Sequence, residues 1–299
     1  MILYLIFINI QMKVLKIFYT DFWKGFAQQS DFITPILKKH FNIILDHRNP
    51  DIVFCSTLHR MSQTVKYNQP KILYTGENHR PDGRGAEYTI SFDKHSETNY
   101  YLPLWQVSCM LEPRYKEALL NRVRYDMKDS RFCSFFYSNG NVPVRNEIFH
   151  KLSEYKYVVS YGDLFNNDDS IKGSKSHYDK EKVLKSYGHK FGITYENSSY
   201  PGYCTEKIIH TFLVGSIPVY WGSNTIIDHF NPAAFINAND MNVEDVIKNI
   251  VYLDGNKEAF DKMYNEPVML PGQITDFLYN ISNFETWLAD KVNKIMKWN

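Results

Sequence analysis

Three clusters of residues in this chain have the types and spacing that chemistry requires. The first is Tyr74-Thr75-Gly76-Glu77-Asn78. There an apolar run of strand character ends in a glycine and then offers a carboxylate. At the rim of a sheet Glu77 could take a proton from a hydroxyl as a general base; a helix cap or a surface acid would fit the same place. The second is the run from Ser138 to Arg145. Pro143 suits a first helical turn and Asn141 its cap, with Val144, Ile148 and Leu152 as the buried stripe. Arg145 then falls beside backbone N–H groups that lack helical partners, an arrangement suited to phosphate; a solvated or salt-bridged arginine would fit as well. The third and densest spans residues 191–222. A strand ends in Glu196-Asn197, a loop follows over 198–202, and Tyr203-Cys204-Thr205-Glu206-Lys207 opens a helix with Ile208, Ile209, Phe212 and Leu213 on its apolar face. The free amides of that helix start, Lys207 as counter-charge to a diphosphate, and Glu206 as acceptor for sugar hydroxyls read as a nucleotide site. Neither GxGxxG nor GxxxxGK[ST] occurs, which disfavours dinucleotide redox enzymes and P-loop ATPases.

Residues placed this way need parallel strands behind them, because open α/β sheets bind ligands beyond the carboxyl ends of their strands. Short apolar runs alternate with amphipathic stretches along the whole chain, the pattern of β-α units. One series of strands is expected at 14–19, 42–45, 51–55, 72–75 and 88–91, and a second at 132–137, 157–161, 191–196, 216–221 and 234–237. A length of 299 residues suits two such lobes. The charged segment 112–131 is expected to link them and to supply the first helix of the second lobe. The stretch 284–298, with Trp287, Val292 and Ile295 on one face, is expected to pack back across both. The polar stretch 166–176 reads as a loop.

Composition removes other classes. Apolar residues make up 44% of the chain and the net charge is +1, so a binder of nucleic acid relying on excess Lys and Arg is excluded as a first reading. The 22 Tyr and 20 Phe suit stacking on sugars and bases, and A/T-rich coding would produce the same bias. Cys55, Cys109, Cys133 and Cys204 lie far apart, without the spacing of a zinc site or a disulfide framework, which fits a reducing compartment. The apolar opening run to Ile10 is about half the roughly 20 residues of a spanning helix, so no transmembrane anchor is expected; Met12 is a second plausible start. Asp168-Asp169 lacks the DxD arrangement and reads as a solvated acidic pair rather than a metal site.

The run from Tyr195 to Ile209, YENSSYPGYCTEKII, continuing to Ile217-Pro218-Val219-Tyr220-Trp221-Gly222, closely resembles the donor-binding signature of the alpha-1,3-fucosyltransferase family. The block from Tyr74 to Asn78, Phe92-Asp93, Leu102-Pro103-Leu104 and Pro143-Val144-Arg145-Asn146 resemble that family in the same order, and the likeness covers roughly residues 16–267. It implies a GT-B architecture: two Rossmann-like α/β lobes with a cleft between them, the acceptor lobe at 1–115 and the lobe binding GDP-fucose at 116–299, including the C-terminal helix. By the same resemblance Glu77 is the catalytic base, Arg145 and Lys207 neutralise the diphosphate, and Asn197, Tyr203, Cys204, Thr205 and Glu206 surround nucleotide and fucose. Lys180 matches a further donor contact. The implied reaction is inverting transfer of L-fucose from GDP-β-L-fucose to GlcNAc of N-acetyllactosamine-type glycans, giving Lewis x type products without a cofactor or metal. A GT-B transferase with another donor or acceptor, or a non-catalytic nucleotide-sugar or glycan-binding relative, are the alternatives. Cys204 stands where a β-branched residue is common, and Gly202 where many members have Asp. The anchor and stem of eukaryotic members and the basic heptad tail of some bacterial ones are not seen, so the expectation is a cytoplasmic protein, soluble or peripheral to a membrane, of open oligomeric state. Asp21, Trp23 and the loops of the first lobe are expected to set acceptor choice.

Overall fold

The computed structural model describes residues 12–57, 61–80, 85–170 and 177–298, apart from the side chains of residues 177–180 and 183. The expected opening run therefore lies outside the described residues. The first sheet contains β1 (Val14–Thr20), β2 (Asn42–Leu45), β3 (Ile52–Ser56), β4 (Lys71–Tyr74), β5 (Tyr88–Ser91) and β6 (Asn99–Tyr101), in the order β2-β1-β3-β4-β5-β6. The second contains β7 (Arg131–Phe135), β8 (Val158–Ser160), β9 (His189–Tyr195), β10 (Ile217–Trp221) and β11 (Ile236–Asn237), in the order β11-β10-β9-β7-β8. Every ladder is parallel. Central strands read as continuous apolar runs because both faces are covered: all five residues of β3 are buried.

All ten expected strands are present, two with the expected bounds and the others with ends shifted by no more than two residues. The added strand, β6, is too short and polar for a periodicity to reveal. It is held by its side chains, since Asn99 Oδ1 accepts from Thr89 Oγ1 at 2.7 Å and Ser91 Oγ at 2.8 Å.

Each sheet turns back on itself at one point. The chain leaves β1 for β2 on one side and then crosses to β3 on the other; β7 goes to β8 and then across to β9. Such a switch opens a crevice between the carboxyl ends of the two diverging strands.

The helices α1 (Thr34–Leu37), α2 (Leu104–Leu111), α3 (Pro113–Leu120), α4 (Pro143–Tyr155), α5 (His177–Tyr187), α6 (Lys207–Leu213), α7 (Val243–Gly255), α8 (Lys257–Asn265) and α9 (Pro271–Met296) cover the sheets. On either side of residue 112, α2 and α3 send Trp105, Tyr115 and Leu119 into a cluster with Ile208 and Phe212 of α6. The last helix is 26 residues long, starting well before the expected segment because Pro271 occupies its first turn, where proline costs nothing. Its Phe277 packs with Trp105 in that cluster, while Phe284, Leu288 and Val292 complete the core of the first sheet.

Two local expectations are corrected. Val142, not Asn141, caps α4, without a side-chain bond; the Asn141 amide instead donates to Asn139 Oδ1 at 2.9 Å in a turn before the helix. Asp168 is not simply solvated. Arg131 donates to its carboxylate at 2.8 Å, and although partial burial raises its pKa, bonds from Ser170 and Arg131 outweigh that and hold it below the ordinary range.

Candidate active site

The polar residues gather where the switch in the second sheet predicts. A cavity of about 250 Å³ lies at the carboxyl ends of β7 and β9 and is walled by α5 and α6. Of the expected donor residues, Arg145, Asn197, Glu206 and Lys207 line it. Tyr137, Asn139, Glu181 and His210 line it too, and these sequence reasoning had not singled out. Only their position just beyond a strand end or one turn along a helix could have marked them. The backbone of Lys180 lies in α5, and its side chain is outside the described residues.

Tyr203, Cys204 and Thr205 sit behind this wall. Cys204 is buried among Ile208, Phe212 and Tyr220, as a packing residue would be, and burial followed by the Glu196 charge pushes its thiol well above the usual range. The Thr205 amide, expected to be free for phosphate, is occupied: it donates to Glu196 Oε1 at 2.7 Å. Glu206 caps a helix of seven residues, and the charge facing the cavity is carried by side chains rather than by that short helix.

Arg145 is wholly buried, its guanidinium 3.9 Å from the Tyr137 ring centroid. It donates to the carbonyls of Asn139, Tyr195 and Glu196 at 3.2, 2.9 and 2.7 Å and to Asn197 Oδ1 at 3.0 Å. It thus ties the loop after β7 to the end of β9 while its charge lies at the cavity wall. Burial is the first influence on Lys207 and lowers its pKa, but Glu196 and then Glu206 outweigh it, so that the ammonium is held charged above the ordinary lysine value.

In the first lobe, Thr75 is fully buried and its hydroxyl donates to the carbonyls of Glu77 at 2.9 Å and His79 at 3.1 Å. This tight turn after β4 carries Glu77 toward the second lobe. The Tyr203 hydroxyl donates to Glu77 Oε2 at 3.0 Å, and Asn78 Nδ2 donates to Ser198 Oγ at 2.7 Å. Arg80, paired with Asp93, stacks 3.5 Å from the Tyr200 ring centroid and 4.4 Å from that of Phe92. Burial, then the Glu77 charge, raises the Tyr203 pKa far above its ordinary value, so its hydroxyl keeps the proton it donates. Gly202 closes the same contact: it has φ +81°, and a Cβ there would fall 2.1 Å from the Phe92 carbonyl oxygen. A side chain such as the Asp that many members of the resembling family have there would therefore not fit at 202 without moving the two lobes apart.

Glu77 does not line the small cavity; its carboxylate meets the second lobe at Tyr203. A larger open groove of about 1540 Å³ runs from Arg80 and Tyr200 along β5 and β6 to Tyr279 and Trp287 of α9. Asp21, expected to help choose the acceptor, is spent on structure: its carboxylate accepts from the Thr64 amide at 2.8 Å and the Thr64 hydroxyl at 2.7 Å. Trp23 remains partly exposed against Phe22 and Phe26.

Two parallel-sheet lobes meeting at a cleft, with a carboxylate on one side and a cation-lined cavity on the other, define a glycosyltransferase of GT-B architecture. The profile of the alpha-(1,3)-fucosyltransferase FucT N-terminal domain matches residues 17–108, and that of the glycosyltransferase family 10 (fucosyltransferase) C-terminal region matches 126–266. The chain belongs to this fucosyltransferase family. The alpha-(1,3)-fucosyltransferase FucT of Helicobacter pylori is 29% identical over 83% of this chain and 58% of its own length, so the chain spans a little over half of that relative. Alpha-(1,3)-fucosyltransferase B of Drosophila melanogaster is 27% identical over 61% of this chain and 42% of its own. A solved alpha1,3-fucosyltransferase with GDP-fucose superposes with a TM-score of 0.73 at 25% identity, covering 94% of this chain and 92% of that one. Among the described residues, no helix is long and apolar enough to cross a membrane.

Proposed function

We propose that this chain transfers L-fucose from GDP-β-L-fucose to the 3-hydroxyl of GlcNAc in N-acetyllactosamine-type glycans, with inversion and without a metal, giving Lewis x type products. One observation carries the reading: Glu77 is held 3.0 Å from the Tyr203 hydroxyl, on the loop that leads directly into the donor residues Thr205, Glu206 and Lys207. The base of one lobe and the donor pocket of the other are thereby fixed against each other. Glu77 removes the proton from the acceptor hydroxyl, whose oxygen attacks the anomeric carbon as the bond to GDP breaks. Charge that builds on the departing diphosphate meets Lys207 and the Arg145 guanidinium, positioned before the reaction starts. The first lobe, residues 1–115, receives the glycan, and residues 116–299 the donor; Lys180 on α5 and Asn197 complete the donor side. All four cysteines are free and buried, in keeping with a reducing cytoplasm.

The test is release of GDP from GDP-fucose with N-acetyllactosamine, with and without EDTA, in the wild type, Glu77→Ala and Lys207→Ala. Turnover should survive EDTA. It should fall about 10²- to 10⁴-fold on loss of the base, and roughly 100-fold with weakened donor binding on loss of the lysine. Turnover abolished by EDTA, or a Glu77→Ala enzyme as fast as the wild type, would overturn the mechanism.

A further inference from the structure

One buried carboxylate lies at the centre of the bonds that hold the donor loop. Glu196, just beyond the end of β9, has no exposed surface and does not line the cavity. Its Oε1 accepts from the Thr205 amide at 2.7 Å and its Oε2 from the Thr205 hydroxyl at 2.8 Å. Lys207 Nζ donates to Glu196 Oε2 at 3.0 Å and to Thr205 Oγ1 at 2.9 Å. The Lys207 side chain is 22% exposed. The network therefore has a closed end at Glu196 and an open end, the ammonium, at the cavity wall.

The surrounding backbone is shaped to this carboxylate. A Cβ on Gly222 would lie 2.5 Å from Glu196 Cγ, and the Glu196 carbonyl is one of the oxygens that hold Arg145. A carboxylate placed in such a spot costs free energy unless its partners are fixed, and here those partners are Thr205 at the end of the loop and Lys207 at the start of α6.

We propose that Glu196 is the positioning residue of the donor pocket, fixing the Lys207 ammonium at the cavity wall for a nucleoside diphosphate. The inference rests on reading that cavity as the nucleotide site. Tyr137 from the loop after β7, Arg145 of α4, Glu181 of α5, Glu206 at the cap of α6 and His210 within α6 face the same space, and Glu196 makes an ion pair with Lys207. A lysine whose pKa is raised by a partner stays charged until the pH climbs past that raised value; with the partner neutralised, the charge is lost at lower pH.

GDP affinity of the wild type and of Glu196→Gln, measured by calorimetry between pH 7 and pH 9.5, is the direct test. The ratio of variant to wild-type Kd should rise across that range, because the variant ammonium loses its proton at a lower pH than the wild-type one. A constant ratio in a folded variant overturns the role of Glu196 while leaving the nucleotide site standing. A wild type that does not bind GDP overturns the reading of the site, and this inference with it. Should Glu196→Gln not fold, the wild type answers alone. Under brief acetic anhydride labelling read by mass spectrometry, the pH of half-maximal Lys207 modification should lie above the ordinary lysine pKa. A midpoint at or below the ordinary lysine value overturns the proposal.

Discussion

At the carboxyl ends of the second sheet the polar groups are bonded within their own lobe. Arg145 holds three carbonyls, and Glu196 holds Thr205 and Lys207. At the same end of the first sheet the bond made by the Glu77 carboxylate runs across the cleft to Tyr203, and that of the Asn78 amide to Ser198. The two sheets share a topology, so the difference lies in the loops beyond the strand ends. The cavity proposed to hold the donor is preformed inside one lobe, whereas Glu77, the proposed base, is positioned by contacts made where the lobes meet. Substitutions inside the second lobe should thus act on folding and donor binding, and substitutions at the latch between lobes on turnover.

The largest effect expected on this comparison comes from acid. His189 is wholly buried beside Tyr161, whose hydroxyl lies 3.0 Å from Nε2. Burial first, then the Arg131 charge, lowers its pKa from 6.5 to about 4. A group depressed in this way binds its proton more readily in the unfolded chain, so stability is full above pH 6.5 and is lost as the pH falls toward 4. The gap corresponds to about 3 kcal/mol. Thermal melts between pH 7 and pH 4.5 should show Tm falling with GDP binding. A constant Tm would mean that the polar interior of the second lobe is not specially sensitive.

Tyr203→Phe should come next. It removes a hydrogen bond to a charged group, worth roughly 1.5–3 kcal/mol, without emptying the space that packs against Phe92 at a ring separation of 5.2 Å. The expected outcome in steady-state kinetics is about a tenfold or greater loss of kcat with little change in GDP affinity. An equal loss in both would place Tyr203 with the donor network instead of the latch.

Much of this was legible in the residues themselves. Apolar runs located ten strands, and strand ends followed by Glu77, Arg145 and Lys207 located both sides of the cleft. What stayed hidden depended on contacts far apart in sequence. Glu196 looked like the last residue of a strand, and only its burial against Thr205 and Lys207 shows what it holds. The Thr205 amide was expected free because helix starts usually leave such groups unpaired, and a side chain nine residues earlier claims it. Asp21 is likewise claimed by Thr64, 43 positions away, and β6 escaped notice because its pairing depends on Asn99 more than on any apolar pattern.

The smallest effect separates a latch from mere proximity. Ser198→Ala deletes the 2.7 Å bond from Asn78 but leaves the Glu77–Tyr203 bond and the 3.0 Å bond from Arg80 to Asn78 Oδ1 in place. A single neutral hydrogen bond in a partly buried setting contributes about 1 kcal/mol, so the turn carrying Glu77 should sample misaligned positions a few times more often. The kcat should then drop about fivefold, with the Kd for GDP unchanged, because no member of the Glu196 network is touched. Asn78→Ala, which also removes the acceptor of the Arg80 bond, should lose at least as much, and the double variant little more than Asn78→Ala alone, since the bond between the two residues is already cut. Losses that instead multiply would mean that Asn78 and Ser198 act separately, leaving Tyr203 as the contact that aims the base.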